Sequence, residues 1–280
     1  ALAKLGNFET HVIHTGEHGW LRSAQASPNY FRMLEALERM NSKAGAPLAG
    51  QLVESLQSDK DRGLLYELDT YEKLVGRTVK RIGRMDDVVE ACLAVLGDKS
   101  GNTKPDAALT KSVSKAPHNE GHIRRHSAQA RAAQVISIVC MDLKYAPRIR
   151  KVLMAHRAAK ASETRAWVCF MLTRTLGRLG DTGSIDLFIE MLAKGPTEAS
   201  LGLNPPPAHI IYKAWRPFHR PAAAWSLGQL KAKQATPTLL KTVQELGNAS
   251  STREQAAAAL GKIGDKTTLT ELKKILITLI

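Results

Sequence analysis

Leu176-Gly177-Arg178-Leu179-Gly180-Asp181 closes one apolar run and opens another. Before it stands Thr164-Arg165-Ala166-Trp167-Val168-Cys169-Phe170-Met171-Leu172, and after it Ser184-Ile185-Asp186-Leu187-Phe188-Ile189-Glu190-Met191-Leu192. A helix, a Gly-Asp turn and a second helix make an αα-hairpin. Gly180 falls where a helix C-terminus favours a left-handed residue, and Asp181 can hydrogen-bond within the turn that follows.

The phrase recurs. Ile82-Gly83-Arg84-Met85, Leu227-Gly228-Gln229-Leu230 and Leu260-Gly261-Lys262-Ile263 are copies, and Ile138-Val139-Cys140-Met141 is a weaker one. Val139, Gly228 and Gly261 each stand eight residues after an arginine (Arg131, Arg220, Arg253). The marker positions 83, 139, 177, 228 and 261 are 56, 38, 51 and 33 residues apart. The two long gaps hold loop-like insertions, at 97–121 (Lys, Ser, Asn, Gly, Pro) and at 193–219, which contains Pro205-Pro206-Pro207. Removing roughly 15–20 residues from each leaves a period of about 33–38, the range of helical repeat arrays. The first glycine suits a close helix crossing. Capping boxes are expected at Ser251 with Glu254 and at Thr268 with Glu271.

Arg220-Pro-Ala-Ala-Ala-Trp-Ser-Leu-Gly-Gln-Leu and Arg253-Glu-Gln-Ala-Ala-Ala-Ala-Leu-Gly-Lys-Ile-Gly-Asp resemble HEAT-like repeats of the short type found in phycobilin lyase subunits. The resemblance is good over 160–280, looser over 64–157 and absent from the first 60 residues. It implies an all-α fold, a right-handed α-solenoid of five or six helix pairs with an extended concave surface. The organisation expected is an irregular N-terminal arm over 1–27 and a single solenoid over 28–280. Within the latter, Ser27-Pro28 and Pro47 each open a helix, and a longer helical run spans 64–82.

Composition agrees with packed helices. Hydrophobic residues are 44% and aromatics only 5%, too few of the latter for a typical β-sandwich. No run of 18 apolar residues occurs, so no spanning helix is expected. Cys92, Cys140 and Cys169 lie in apolar runs with no metal-like spacing and read as buried thiols. The chain opens on Ala1, which suggests a processed start. A cytoplasmic location is favoured, with secretion left open. The apolar end Ile275-Leu276-Ile277-Thr278-Leu279-Ile280 suggests contact with another chain, a folded-back tail or a continuation.

Net charge is +14, and its placement is uneven. Between Lys99 and Arg174 stand 15 Lys/Arg against four acids. Arg124, Arg125, Arg131, Lys144, Arg148 and Lys151 are therefore candidate ligands for phosphate, an acidic protein or an anionic membrane surface. The alternative is that they are solvated around their helices, since neighbours at 100° per residue cannot all share a face. A second candidate is the segment after the triple proline, where Tyr212, Trp215, Arg216 and Phe218 mix rings with bases. It is either a stacking or interface anchor or a segment whose rings pack on the solenoid, as Trp225 is expected to do.

His11, His14 and His18 could ligate zinc or copper, but no Cys or distant His pair completes a site. The simpler reading is ordinary hydrogen bonding in the arm, so no metal and no cofactor is expected. HEAT-like hydroxylases that bind a di-iron centre carry His-Glu pairs; no His-Glu dipeptide occurs in this chain, and that activity is not expected. Nucleophile elbows, phosphate-binding glycine loops and H-E-x-x-H are also missing.

The function expected is a non-catalytic scaffold that binds another protein, an acidic one, through its concave face and inserted loops. The alternative is a nucleic-acid-binding protein, including a DNA-processing enzyme. A third reading, a bilin or other cofactor lyase subunit, rests on the repeat type alone.

Overall fold

The computed structural model describes residues 49–56, 70–98, 100–101, 105–114, 127–159, 163–194, 219–245 and 250–278. The N-terminal arm, the helix expected after Ser27-Pro28 and most of the 193–219 insertion lie outside these residues. Among the described residues there are twelve α-helices and no strand. They are α1 (Ala49–Ser55), α2 (Thr70–Arg81), α3 (Met85–Val95), α4 (Ala107–Ser114), α5 (Ala128–Val139) and α6 (Ala146–Ala158). The second half holds α7 (Glu163–Leu179), α8 (Ile185–Lys194), α9 (His219–Gln229), α10 (Thr236–Gln244), α11 (Ser250–Ile263) and α12 (Lys266–Thr278).

The helices pack pairwise into an α-solenoid. Helices α5, α7, α9 and α11 stack in one layer, each against the next, and α8, α10 and α12 follow one another in the other. The first layer is the tightly packed one, and its sequence explains why. An added Cβ at Gly177 would lie 2.8 Å from the Ser226 Cα, and one at Gly228 would lie 2.8 Å from the Ala259 Cα. Backbones that close leave room for no side chain at the crossing.

The turn after α2, α3, α7 and α9 is a repeated hydrogen-bond pattern. Asp181 N–H donates to the Leu176 carbonyl at 3.1 Å, and Gly180 N–H to that of Gly177 at 3.3 Å. This is the Schellman closure, which satisfies two helix-end carbonyls when the residue between turns left-handed. Gly180 does so, at φ 78°. The same bonds form from Arg84 to Val79, from Asp98 to Leu93 and from Ala232 to Leu227.

This geometry corrects the register of the first copy. Gly83, at φ 73°, occupies the turn position of Gly180 rather than the crossing position of Gly177. The crossing glycine of α2 is Gly76, whose missing Cβ would fall 2.6 Å from the Ile138 carbonyl oxygen. The weak copy near 139 has a different turn, for Cys140 is extended and Asp142 accepts from Lys144 N–H at 2.9 Å.

Two other expectations change. The stretch 97–121 contains α4, started by Asp106, whose carboxylate accepts from Ala108 and Leu109 N–H. Its Leu109, Ser112 and Val113 are buried at helical spacing. The cap of α12 is Asp265, which accepts from the Thr268 N–H and hydroxyl, so Thr268 is not the cap. Ser251 lies inside α11.

The core follows the two layers. α5 is buried at every position from Ala130, and α9 at every position from Arg220 to Gly228. Cys92, Cys140 and Cys169 are buried free thiols, each pushed up by burial.

Candidate interaction surface

The bases of the middle third are built into the stack. Arg131 is only 4% exposed; its guanidinium donates to the Val53 carbonyl at 2.7 Å and to Gln134 Oε1 at 3.1 Å. Arg220 Nε donates to the Leu192 carbonyl at 3.0 Å, and Arg253 Nε to that of Val243 at 3.0 Å. The arginine that stands eight residues before the repeat marker thus ties a first-layer helix to the C-terminal end of an earlier helix. Such an end carries orphan carbonyls and partial negative charge, which a guanidinium satisfies. Arg131 is therefore a core residue and not a surface cation.

Helix α6 is laced to its neighbours on both sides. Arg148 holds both oxygens of Glu90 in a two-pronged pair and donates from Nε to Asp98 at 2.7 Å. Lys144 Nζ stands 2.7 Å from Asp86 and 3.5 Å from Asp142. On the other side Arg150 Nη2 reaches Asp181 at 2.7 Å, through space that a side chain at Gly183 would fill. Arg157 lies 3.6 Å from Glu190.

Asp86, Glu90, Asp98, Asp181 and Glu190 all lie outside the 99–174 window, and this is why a charge count along the chain overstates the charge on the surface. Arg178, which the turn motif presents as an exposed base, donates to the Cys140 carbonyl at 2.9 Å. Asp98 shows the balance of forces in these pairs: burial would raise its carboxyl, but bonds from Ser100 and Arg148 hold it below the ordinary value.

Of the remaining sequence candidates, Lys151 is exposed on α6. Arg124, Arg125, Tyr212, Trp215, Arg216 and Phe218 lie outside the described residues, as do His11, His14 and His18. Trp225 is a core residue, 6% exposed, with Lys262 Nζ 5.7 Å from its ring centre.

What sequence reasoning missed is the outer face of α6. Ile149, Val152, Leu153 and His156 point into the core. Opposite them, Leu143 in the turn before α6 and Met154 within it are 50% and 53% exposed, the large hydrophobic side chains left in the open among the described residues. Met154 shares its line of α6 with exposed Pro147, Lys151 and Ala158, at spacings of four, three and four, and Leu143 stands in the turn that leads into the helix. Beside this ridge lies an open depression of about 370 Å³, floored by Leu96 and Val152 and edged by Gly97, Lys151 and Ala155. The signal was in the sequence: Met154 falls out of phase with the Ile149, Val152, Leu153 and His156 stripe of its own helix.

A second surface is basic. Lys73, Arg77 and Lys80 are exposed at spacings of four and three on α2 and share one face, and exposed Arg81 stands at its edge.

The fold defines the class: this is an α-solenoid, and residues 208–278 match the HEAT-repeat family. A stretch of 53 residues is 45% identical to the deoxyhypusine hydroxylase of Candida glabrata, covering 19% of this chain and 16% of that protein. The chain thus matches about a sixth of that relative's length. Among the described residues no helix is long and apolar enough to cross a membrane.

Proposed function

We propose that the chain is a HEAT-repeat scaffold that binds a protein partner through the outer face of α6. The observation that carries this reading is the exposure of Leu143, in the turn before α6, and of Met154 on its outer face, while Lys144, Arg148, Arg150 and Arg157 are engaged with neighbouring acids. Two large apolar side chains left half-exposed near a depression give a protein partner apolar surface to bury. Lys151, set between them, favours a partner that offers a carboxylate there. The first-layer helices are less suited to this role, because α5 and α9 are buried along nearly their whole length.

A photo-crosslinking residue placed at 143 or 154 in the protein expressed in its own cells tests this. Protein adducts at these positions, and few with the residue at exposed Lys241 on α10, are expected. Equal yields at all three positions would remove the reading.

The second reading, nucleic-acid binding, is favoured by the stripe on α2. Affinity for mixed-sequence DNA and RNA would then fall steeply with salt, and charge-neutral replacement of Lys73 and Lys80 would lower the slope by about 2. No binding at low salt would exclude it.

A further inference from the structure

The depression beside α6 has a chemistry that narrows what can fill it. Leu96, at the end of α3, and Val152 of α6 form its floor, and both belong to the core. The far edge carries Asp98 and Ser100, and the Asp98 carboxylate there is already satisfied. Its side chain is only 3% exposed. One of its oxygens accepts from Arg148 Nε at 2.7 Å, the other from the Ser100 N–H and hydroxyl at 3.0 and 2.6 Å. Gly97, in a left-handed turn at φ 92°, keeps that edge open, for an added Cβ would meet nothing within 4 Å.

The near edge is Lys151 and Ala155, four residues apart on one line of α6 and both exposed. Arg148, Arg150 and Arg157 of the same helix are each paired with an acid, whereas Lys151 forms no ion pair among the described residues. Met154, next to Ala155 and 53% exposed, carries the apolar surface past the depression. The exposed line from Pro147 to Ala158 runs about 16 Å along the helix, the length of a peptide segment rather than of a small acid.

Taking α6 as the binding face, on which this inference rests, we infer that the partner meets it with a short acidic peptide segment. A large apolar side chain of that segment enters the depression over Leu96 and Val152, and a neighbouring carboxylate pairs with Lys151. The charges select this occupant. An incoming cation would face Lys151 with no lining acid to receive it, because Asp98 is held by Arg148. A phosphate polymer would find one cation here, against the several on which its affinity depends. An apolar side chain leaves water while the polar groups of the far edge keep their bonds, so nothing opposes its entry.

Panning a library of random displayed peptides against the purified 280-residue chain tests the inference. Enriched peptides are expected to carry Asp or Glu within four residues of a large apolar residue. Panning against Lys151→Glu is expected to replace that acid by Lys or Arg. Affinity for the parent-selected peptides falls at least about tenfold on Lys151→Glu or on Ala155→Phe, which fills the depression, and stays within about threefold on Lys151→Arg. Both positions are exposed, so the variants keep the circular dichroism and thermal unfolding of the parent. Peptides without an acid, peptides that bind Lys151→Glu or Ala155→Phe as well as the parent, or no enrichment at all would overturn the inference. So would a chain that self-associates in sedimentation velocity and becomes monomeric with Ala155→Phe, which would give the face to a second copy. Photo-crosslinking at 143 and 154 separates this inference from the choice of α6. Protein adducts that persist undiminished in Lys151→Glu and Ala155→Phe keep α6 as the binding face and reject the acidic segment, whereas equal yields at 143, 154 and 241 remove both.

Discussion

Gly177 and Gly261 are the same letter at the same place in two repeats, and the structure gives them opposite tolerances. At Gly177 an alanine Cβ meets backbone, the Ser226 Cα at 2.8 Å, so Gly177→Ala should cost about 1–3 kcal/mol of unfolding free energy. At Gly261 nothing stands within 4 Å, and Gly261→Ala should stabilise the helix by about 0.5–1 kcal/mol. Urea unfolding in dilute solution checks both. Lys231 gives a third case. It holds the left-handed turn position of Gly180 at φ 48°, a conformation that costs a side chain about 1 kcal/mol, and Lys231→Gly should recover much of that. Arg131→Leu strands the Val53 carbonyl and should cost about 1–3 kcal/mol, with no change in affinity for DNA or RNA.

At the scale of the element, α6 is the brace of the described array. Its bases hold acids on α3 and α3's C-terminal turn on one side, and acids on α8 and the turn before it on the other. Arg148→Met removes three charge-assisted bonds at once and should destabilise the fold by about 2 kcal/mol, since side-chain exposure near a fifth leaves part of each pair screened. The pair also predicts a pH effect. The Asp98 carboxyl is held below its ordinary value, so its contribution is complete above about pH 4 and is lost on further acidification. Acid unfolding followed by circular dichroism should therefore begin at higher pH in Arg148→Met than in the parent.

At the scale of the molecule, contacts run between successive repeats, so stability is a sum of local stacking terms. His219, at the start of α9, joins two of them. Burial, with Arg157 of α6 and the adjacent Arg220 adding to it, lowers its imidazole from 6.5 to about 4. The folded chain thus keeps this histidine neutral where the unfolded chain protonates it. Stability should be full above about pH 6.5 and fall as pH drops toward 4. His219→Gln should flatten the thermal-unfolding profile across that window, and an unchanged profile would contradict the account.

The layered solenoid was legible in the sequence because its causes are local and repeated. Glycine at a close crossing, glycine or lysine in a left-handed turn, and alanine-rich helices all recur at a countable interval. Register errors came where a local cue has two uses: Gly83 looks like a crossing glycine but is a turn glycine. Helix α4 hid in a polar stretch because eight residues with three buried positions carry little pattern. An arginine at one register in three repeats was also a readable sign of architecture rather than of ligand binding. What only the tertiary structure decided is which charges remain on the surface and which faces remain open. Stacking brings Asp86, Glu90, Asp181 and Glu190 against bases 31 to 58 residues away in the chain. No window along the sequence can count a charge that its partner cancels from another repeat. Nor can it tell that Gly261 faces open space where Gly228 faces a helix.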